Sequence, residues 1–493
     1  MFSFGKKLIY ENDIIPIISS LKRSFQSDPY PRLKVRRLWL KELESLLTKN
    51  EAKFIDAINS DFGNRSMFET LSCEILPTIS AIKHAYKNLP LWMKEEKRRT
   101  SPIFWFGKSS VLFQPIGLVA IISPWNYPLQ LTLIPLVNAL AAGNRVILKP
   151  SEKTKHFSAL LRDIFTKDFD NSAAKVLTGD RKTSKIIVSN KDIDHIFFTG
   201  STIVGKEIAK TAAINLTPVT LELGGKSPAY ISKTANLTSA LKSIVKGKII
   251  NAGQTCIAPD YLIVNSVHEK KFLEKFFFIL EKLYPNILEN DDYTSILSEN
   301  NLLQLIGLLK DANKKGGKVL VGIKNSIEDL DFDEKKVDTF KATYTKGLKL
   351  LPSLILRPNF EMKVMQTEIF GPILPVFFVE CDDEAISLIN RNDRPLAFYW
   401  FGKEKYSREK WMKNIVVGGV TLNDCLLHCV QNDLPFGGVS KSGLGAYHGV
   451  WGFENFSHRK AIFTQSRFSA VSLLNPPYDT KKLKLFNFLK LLL

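Results

Sequence analysis

Several large classes of protein are excluded by what the 493-residue chain does not contain. No stretch approaches the roughly 20 consecutive apolar residues that a membrane-spanning helix needs. The first twenty residues interleave Lys6, Lys7, Glu11, Asn12 and Asp13 with short apolar pieces, so a secretory leader is not expected. Five cysteines (Cys73, Cys256, Cys381, Cys425, Cys429) make neither a disulfide framework nor a paired Cys-x-x-Cys metal spacing. A reducing cytoplasm and no metal site fit that usage. There is no internal repeat, no low-complexity segment and no Gly-x-Gly-x-x-Gly fingerprint of the usual dinucleotide-binding turn.

What the chain does have is positive charge: 68 Lys and Arg against 49 Asp and Glu, a formal +19. Such a balance favours anionic cofactors, acidic membrane surfaces or nucleic acid. The basic residues are scattered, with local runs only at Lys94 to Arg99 and Lys481 to Lys484, and no nucleic-acid module accompanies them. A solvated basic surface is the plain reading, and no nucleic-acid partner is expected. The length exceeds one ordinary core, so two or three domains are expected.

From Asp13 to about Trp92 apolar residues recur every three or four positions, a helical lead-in. Val111 to Ile122 reads as strand, rich in β-branched and large apolar residues and bounded by Ser109-Ser110 and Ser123-Pro124. Strand-like and helix-like runs then alternate: strand at Asn144 to Lys149, helix at His156 to Asp168, strand at His195 to Thr199. That alternation implies a mostly parallel sheet covered by helices, with ligands at the carboxyl ends of the strands. A second α/β region starts near Gly224, with a helix at Ala240 to Asn251, a strand at Tyr261 to Asn265 and a helix at Glu269 to Leu283. It ends near Gly445, and the polar stretch Ile323 to Lys349 within it reads as a surface excursion.

An isolated cysteine is usually a small buried hydrophobe, and Cys73, Cys381, Cys425 and Cys429 are read so. Cys256 differs because it closes Asn251-Ala252-Gly253-Gln254-Thr255-Cys256. A thiolate can add reversibly to a carbonyl carbon and leave a thioester activated toward water. Free cysteine is only a few per cent ionised at neutral pH, so a site must lower its pKa or supply a base. Glu222 ends the apolar run Val219 to Leu223, and a buried carboxylate can serve as a base near neutrality. The side-chain N–H of Asn126, in Pro124-Trp125-Asn126-Tyr127-Pro128, can meet a developing oxyanion; as a bland residue it would be a turn former. Gly200-Ser201-Thr202-Ile203-Val204-Gly205 follows a strand and opens a helix, where backbone N–H groups can face a pyrophosphate.

With Lys149 and Glu152 in Lys-Pro-Ser-Glu, and Glu368 and Phe370 in Glu-Ile-Phe-Gly-Pro, these motifs in this order resemble the aldehyde dehydrogenase superfamily. The resemblance spans roughly Leu38 to Phe463. It implies an α/β fold of two Rossmann-type parallel-sheet domains plus a small β dimerisation arm. The implied division is 1-97 with 120-222 for the NAD-binding domain and 223-445 for the catalytic domain. Segments 98-119 and 446-475 would bridge subunits, and 476-493 is a basic and apolar tail. It further implies Cys256 as nucleophile, Glu222 as the activator of the deacylating water, and Asn126 with the Cys256 backbone N–H as oxyanion donors. Trp125, Lys149, Glu152, Gly200, Ser201, Gly205, Leu223, Glu368 and Phe370 would bind the cofactor. Lys149 and Glu152 would meet the adenosine ribose, which favours NAD and leaves NADP open.

Ala258-Pro259-Asp260-Tyr261, Ala446-Tyr447-His448-Gly449 and the short lead before Pro124 resemble the branch of class 3, fatty aldehyde and coniferyl aldehyde dehydrogenases. That branch implies a homodimer acting on medium to long aliphatic or aromatic aldehydes. Ser440-Lys441 replaces a pair that begins with glycine in many relatives, which puts local backbone shape in question. From Lys484 a helix would gather Leu485, Phe486, Phe488, Leu489, Leu492 and Leu493 on one side, to pack across the dimer or make peripheral membrane contact. Two other readings stay open here: a coenzyme A-acylating dehydrogenase, and an inactive membrane-associated scaffold.

Overall fold

The computed structural model describes residues 11–101, 104, 106–323, 326–330, 344–467 and 475–492. Two sheets organise the described chain. The first has the order Gly443–Leu444, Val219–Leu223, His195–Gly200, Leu118–Ile122, Arg145–Lys149, Ala174–Val176, with the last five strands parallel. Its central strands are continuous apolar runs because helices cover both faces. Helix Gln130–Ala142 is buried along nearly its whole length, and Gly143 ends it at φ 95. Chain order reverses around Leu118–Ile122, between His195–Gly200 and Arg145–Lys149, which opens a crevice at the carboxyl ends of these strands.

The second sheet has eight strands, ordered Ser326–Asp329, Lys318–Ile323, Ser353–Leu356, Ile373–Val379, Tyr261–Asn265, Pro228–Ile231, Ala397–Phe401, Gly419–Leu422. Seven of them run in one direction, and only Lys318–Ile323, paired antiparallel on both sides, runs against them near one edge, so the expectation of a mostly parallel sheet is met. The polar excursion supplies that edge, together with a small ribbon of Thr345–Lys346 and Lys349–Leu350. The rest of it, 331–343, lies outside the described residues.

Val111 to Ile122 is two strands. Lys108–Pro115 and Leu118–Ile122 part at Gly117, whose φ of 141 few other residues adopt. The first joins Glu96–Arg98 and Ser457–Thr464 in a three-stranded antiparallel sheet, and the second enters the first sheet. Gly443–Leu444 returns to the first sheet beside Glu222 and Leu221. The tail forms a helix, Thr480–Leu492, in which Leu483 and Phe488 are exposed. Leu493 and the side chains of Leu485, Leu489 and Leu492 lie outside the described residues.

Candidate active site

The chemistry-bearing residues collect where the two sheets meet. Helix Leu237–Ile249 runs into a short turn, Ile250–Gly253, in which Asn251, Ala252 and Gly253 hold φ of 51, 52 and 75. Left-handed backbone at Asn251 and Ala252 costs about 1–2 kcal/mol per residue and persists only where surroundings impose it. Here they do. Glu69 accepts the Asn251 N–H at 3.0 Å and the Thr294 hydroxyl at 2.6 Å, and Gln254 is bound at both ends by Asn251, Ser295 and Leu297. The turn releases Cys256 into a cavity of about 470 Å³.

Glu222 lines the same cavity from the end of its strand. Both carboxyl oxygens are buried without a hydrogen-bond partner, and burial raises the carboxyl well above the ordinary glutamate range. Burial also raises the Cys256 thiol far above its ordinary value, with the carboxylates of Glu368 and Glu222 and the thiol of Cys429 adding to the effect. The protein alone therefore does not activate the thiol by lowering its pKa, so deprotonation requires an acceptor.

Asn126 is buried beside this loop. Its Nδ2 donates one hydrogen to the Gln254 carbonyl at 3.1 Å, which leaves the second amide hydrogen for another acceptor. The neighbouring Tyr127 hydroxyl and Thr255 hydroxyl lie 2.7 Å apart, so the two loops are joined residue by residue.

The residues read as cofactor-binding lie along the crevice. Lys149 is buried at its strand end and donates to Glu152 at 2.7 Å; Glu152 is exposed, and Lys149 holds its carboxyl below the usual range against the opposing effect of burial. Ser201 occupies the N-cap of helix Thr202–Ala213 without using its hydroxyl there. A Cβ at Gly205 would press on Leu223, so that glycine lets the helix approach the strand closely, and a Cβ at Gly200 would meet the Phe198 ring. Trp125 packs edge-on to Phe370 with centroids 5.4 Å apart, and Phe370 holds φ 54. Glu368 lies across the turn after Glu222: a Cβ at Gly224 would overlap its carboxylate, and the Gly225 N–H donates to it. Its Oε1 is buried and unpartnered, and burial with nearby Asp260 raises its pKa to about 8. A polar pair at a strand end, a free helix start and an orphaned carboxyl oxygen suit a dinucleotide with two riboses and a pyrophosphate.

Local sequence did not reveal everything the site uses. Asp260, read above only as a branch marker, accepts the Ile369 N–H at 3.0 Å and pairs with Lys226, which fixes the loop of Glu368 and Phe370. Arg65, Glu69 and Glu74 come from the helical lead-in, where an i→i+5 turn at Leu71–Ile75 interrupts the helix. Their chain neighbours carry no motif, so spacing held no signal. Cys73, Cys425 and Cys429 line the cavity with Cys256, whereas Cys381 is exposed, contrary to its reading as a buried hydrophobe. Ser440 adopts φ 61, a left-handed backbone that glycine takes more readily than serine. Asn423 holds the ends of two strands by donating to Trp400 and accepting from Gly402.

Comparison with known proteins agrees with this arrangement. The profile of the aldehyde dehydrogenase family matches residues 11–462. The chain is 38% identical over 463 residues to a coniferyl aldehyde dehydrogenase of a Pseudomonas species, covering 94% of this chain and 93% of that one. It is 35% identical to 4,4'-diaponeurosporen-aldehyde dehydrogenase of Staphylococcus aureus, covering 93% and 95%. The substrate-bound structure of Staphylococcus aureus AldH superposes with a TM-score of 0.87 at 33% identity, covering 97% and 99%.

Proposed function

The chain belongs to the aldehyde dehydrogenase family, an oxidoreductase family that oxidises aldehydes with NAD(P), and we propose that Cys256, Asn126 and Glu222 carry that reaction. The observation that carries the assignment is a single cavity lined by both Cys256 and Glu222, with the Asn126 amide tied to the loop that ends in Cys256.

Cys256 adds to the aldehyde carbon and forms a thiohemiacetal. The free hydrogen of Asn126 Nδ2 and the Cys256 peptide N–H steady the oxyanion, a pair of donors of which each is typically worth about 10² to 10³ in rate. Collapse of that oxyanion expels the aldehyde hydrogen as hydride and leaves the thioester on Cys256; NAD(P), when bound, would supply the hydride acceptor. Lys149 and Glu152 would hold the adenosine ribose of the cofactor, and the start of helix Thr202–Ala213, with Gly200, Ser201 and Gly205, would receive the pyrophosphate. Leu223, Trp125 and Phe370 would enclose the nicotinamide, and Glu368 would bind its ribose. Glu222, once ionised, takes a proton from water as that water attacks the thioester and frees the acid. The Glu152 carboxylate opposes a 2′-phosphate, which supports NAD over NADP.

The cavity wall is largely apolar, with Leu131, Leu396, Leu427, Val430, Phe436 and Tyr447 among its residues. Such a wall suits a medium to long aliphatic or aromatic aldehyde, of which coniferyl aldehyde is the representative we favour. The domain division at 97, 120, 223 and 445 follows the same reading. The outer edge of Ser457–Thr464 has no partner strand among the described residues, which supports a homodimer joined through that arm. No described helix is long and apolar enough to cross a membrane. The tail helix, about 20 Å at 1.5 Å per residue, packs across the dimer in this reading, with peripheral membrane contact as the alternative. Five unpaired cysteines suit a reducing cytoplasm.

A panel of aliphatic aldehydes of increasing length and of cinnamyl-type aldehydes, assayed with NAD and with NADP, tests the assignment. Reduced cofactor and free acid in equal amounts are expected, with NAD and the larger apolar aldehydes preferred. Acyl-coenzyme A as the product, or no turnover of any aldehyde, overturns it.

A further inference from the structure

Arg65 is a fully buried cation whose side-chain hydrogen bonds both end on the loops that carry the chemistry. Its Nη1 donates to the Asn126 carbonyl at 2.7 Å and to Asn251 Oδ1 at 3.1 Å. Asn251 Nδ2 in turn donates to the same Asn126 carbonyl at 3.0 Å and to the Gln254 carbonyl at 3.1 Å. The Gln254 carbonyl is also what the Asn126 side chain binds, so Arg65, Asn126, Asn251 and Gln254 form one closed network. The guanidinium is held from behind. Glu74 Oε1 lies 3.3 Å from Nη2, and the Phe62 and Tyr127 ring centroids are each 4.9 Å from its central carbon. Glu74 is itself fixed, because its Oε2 accepts the Leu129 and Gln130 N–H groups at 2.7 and 3.2 Å where helix Gln130–Ala142 begins.

We propose that Arg65 is a positioning residue for the oxyanion step, locking the Asn126 loop against the Cys256 loop so that their two donors converge on one point. This rests on the oxyanion role proposed for Asn126. A buried ion pair is weak evidence of a purely stabilising role, since apolar replacements of similar volume are often as stable. What an apolar residue cannot replace is the pair of directed bonds to Asn126 and Asn251. Without them the Asn126 carbonyl keeps only the Asn251 amide as a donor, and misplacement of a catalytic group by about 1 Å can cost 10²-fold in rate.

A double-mutant cycle on the full-length enzyme tests this, with Arg65→Met, Asn126→Ala and the double variant. Hydride-transfer rate, aldehyde KM, NAD affinity and melting temperature are measured for each. Asn126→Ala is expected to slow hydride transfer by about 10² to 10³. Arg65→Met is expected to slow it by about 10 to 10² with KM and NAD affinity nearly unchanged. Since Arg65 serves to align the Asn126 donor with that of the Cys256 loop, its loss should cost less once Asn126 is removed, and the double variant should be faster than the product of the single losses by at least about threefold. If Arg65→Met does not fold, the same cycle with Arg65→Lys decides, because lysine keeps the charge beside Glu74 but lacks the guanidinium fork. Losses that multiply, or an unchanged rate in the Arg65 variant, overturn the proposal while leaving the Asn126 role intact. A full rate in Asn126→Ala removes the oxyanion role and this proposal with it.

Discussion

Lys149 Nζ and Glu152 Oε2 meet at 2.7 Å, with the lysine buried and half of the glutamate side chain open to solvent. If this pair holds the adenosine ribose as proposed, the carboxylate would repel the 2′-phosphate of NADP, and its lysine partner would soften the repulsion without removing it. Glu152→Gln is therefore expected to raise kcat/KM with NADP by about tenfold, discounted for solvent exposure, while changing it little with NAD. Steady-state kinetics with both cofactors check this. An unchanged NADP to NAD ratio places the discrimination elsewhere.

Glu222 is buried without a partner, so its carboxyl holds a proton at pH values where an ordinary glutamate has lost it. As the proposed base it works only when ionised, and the Cys256 thiol is raised in the same direction, so the rise of turnover with pH should lie above the range of an ordinary glutamate. Glu222→Gln should give a burst of reduced cofactor followed by slow deacylation, with the rise in the deacylation rate flattened. Linkage has the opposite sign for stability: above the ordinary glutamate pKa the folded state keeps a proton the unfolded chain releases, which is destabilising. The same variant should therefore melt higher at pH 8. A uniformly slow trace without a burst contradicts the role.

Three buried histidines set the acid limit. Burial lowers His195 and His428 to about 4 and His448 to about 3, and the Nδ1 of His195 and Nε2 of His448 have no partner. Unfolded histidine titrates near 6.5, so below that pH the unfolded chain binds protons the folded one refuses. The stabilisation is whole above pH 6.5 and is lost as pH falls toward 4, by on the order of 1–3 kcal/mol per histidine. Melting temperatures from pH 8 to 4 should drop steeply in that window, and His428→Asn should make the drop shallower. A flat profile contradicts it.

Much of this was legible because the central strands write their burial into composition: Arg145–Lys149, His195–Gly200 and Tyr261–Asn265 are apolar runs with clear ends. The division within Val111 to Ile122 was not, because two strands of different sheets follow each other with similar composition and only Gly117 between them takes an unusual φ. Cys256, Glu222 and Asn126 stood out because each sits in a motif. Arg65 and Glu74 act from 61 and 55 residues away in sequence, and no local spacing encodes a contact of that range. Asp260 shows an intermediate case, visible in sequence as part of Ala-Pro-Asp-Tyr but with its hold on Ile369 apparent only in the fold.

The central claim is that one sulfur, Cys256, bonds the substrate carbon. Cys73, Cys425 and Cys429 share its cavity, so the claim is a choice among four thiols. Glu222→Gln enzyme turned over with NAD and a cinnamyl-type aldehyde, quenched in acid during the burst and digested for peptide mass spectrometry, makes that choice visible. The acyl group is expected on the peptide containing Cys256, and absent when Cys256→Ala is added although NAD still binds. An acyl group on Cys73, Cys425 or Cys429, or a burst with no acylated cysteine, contradicts the account.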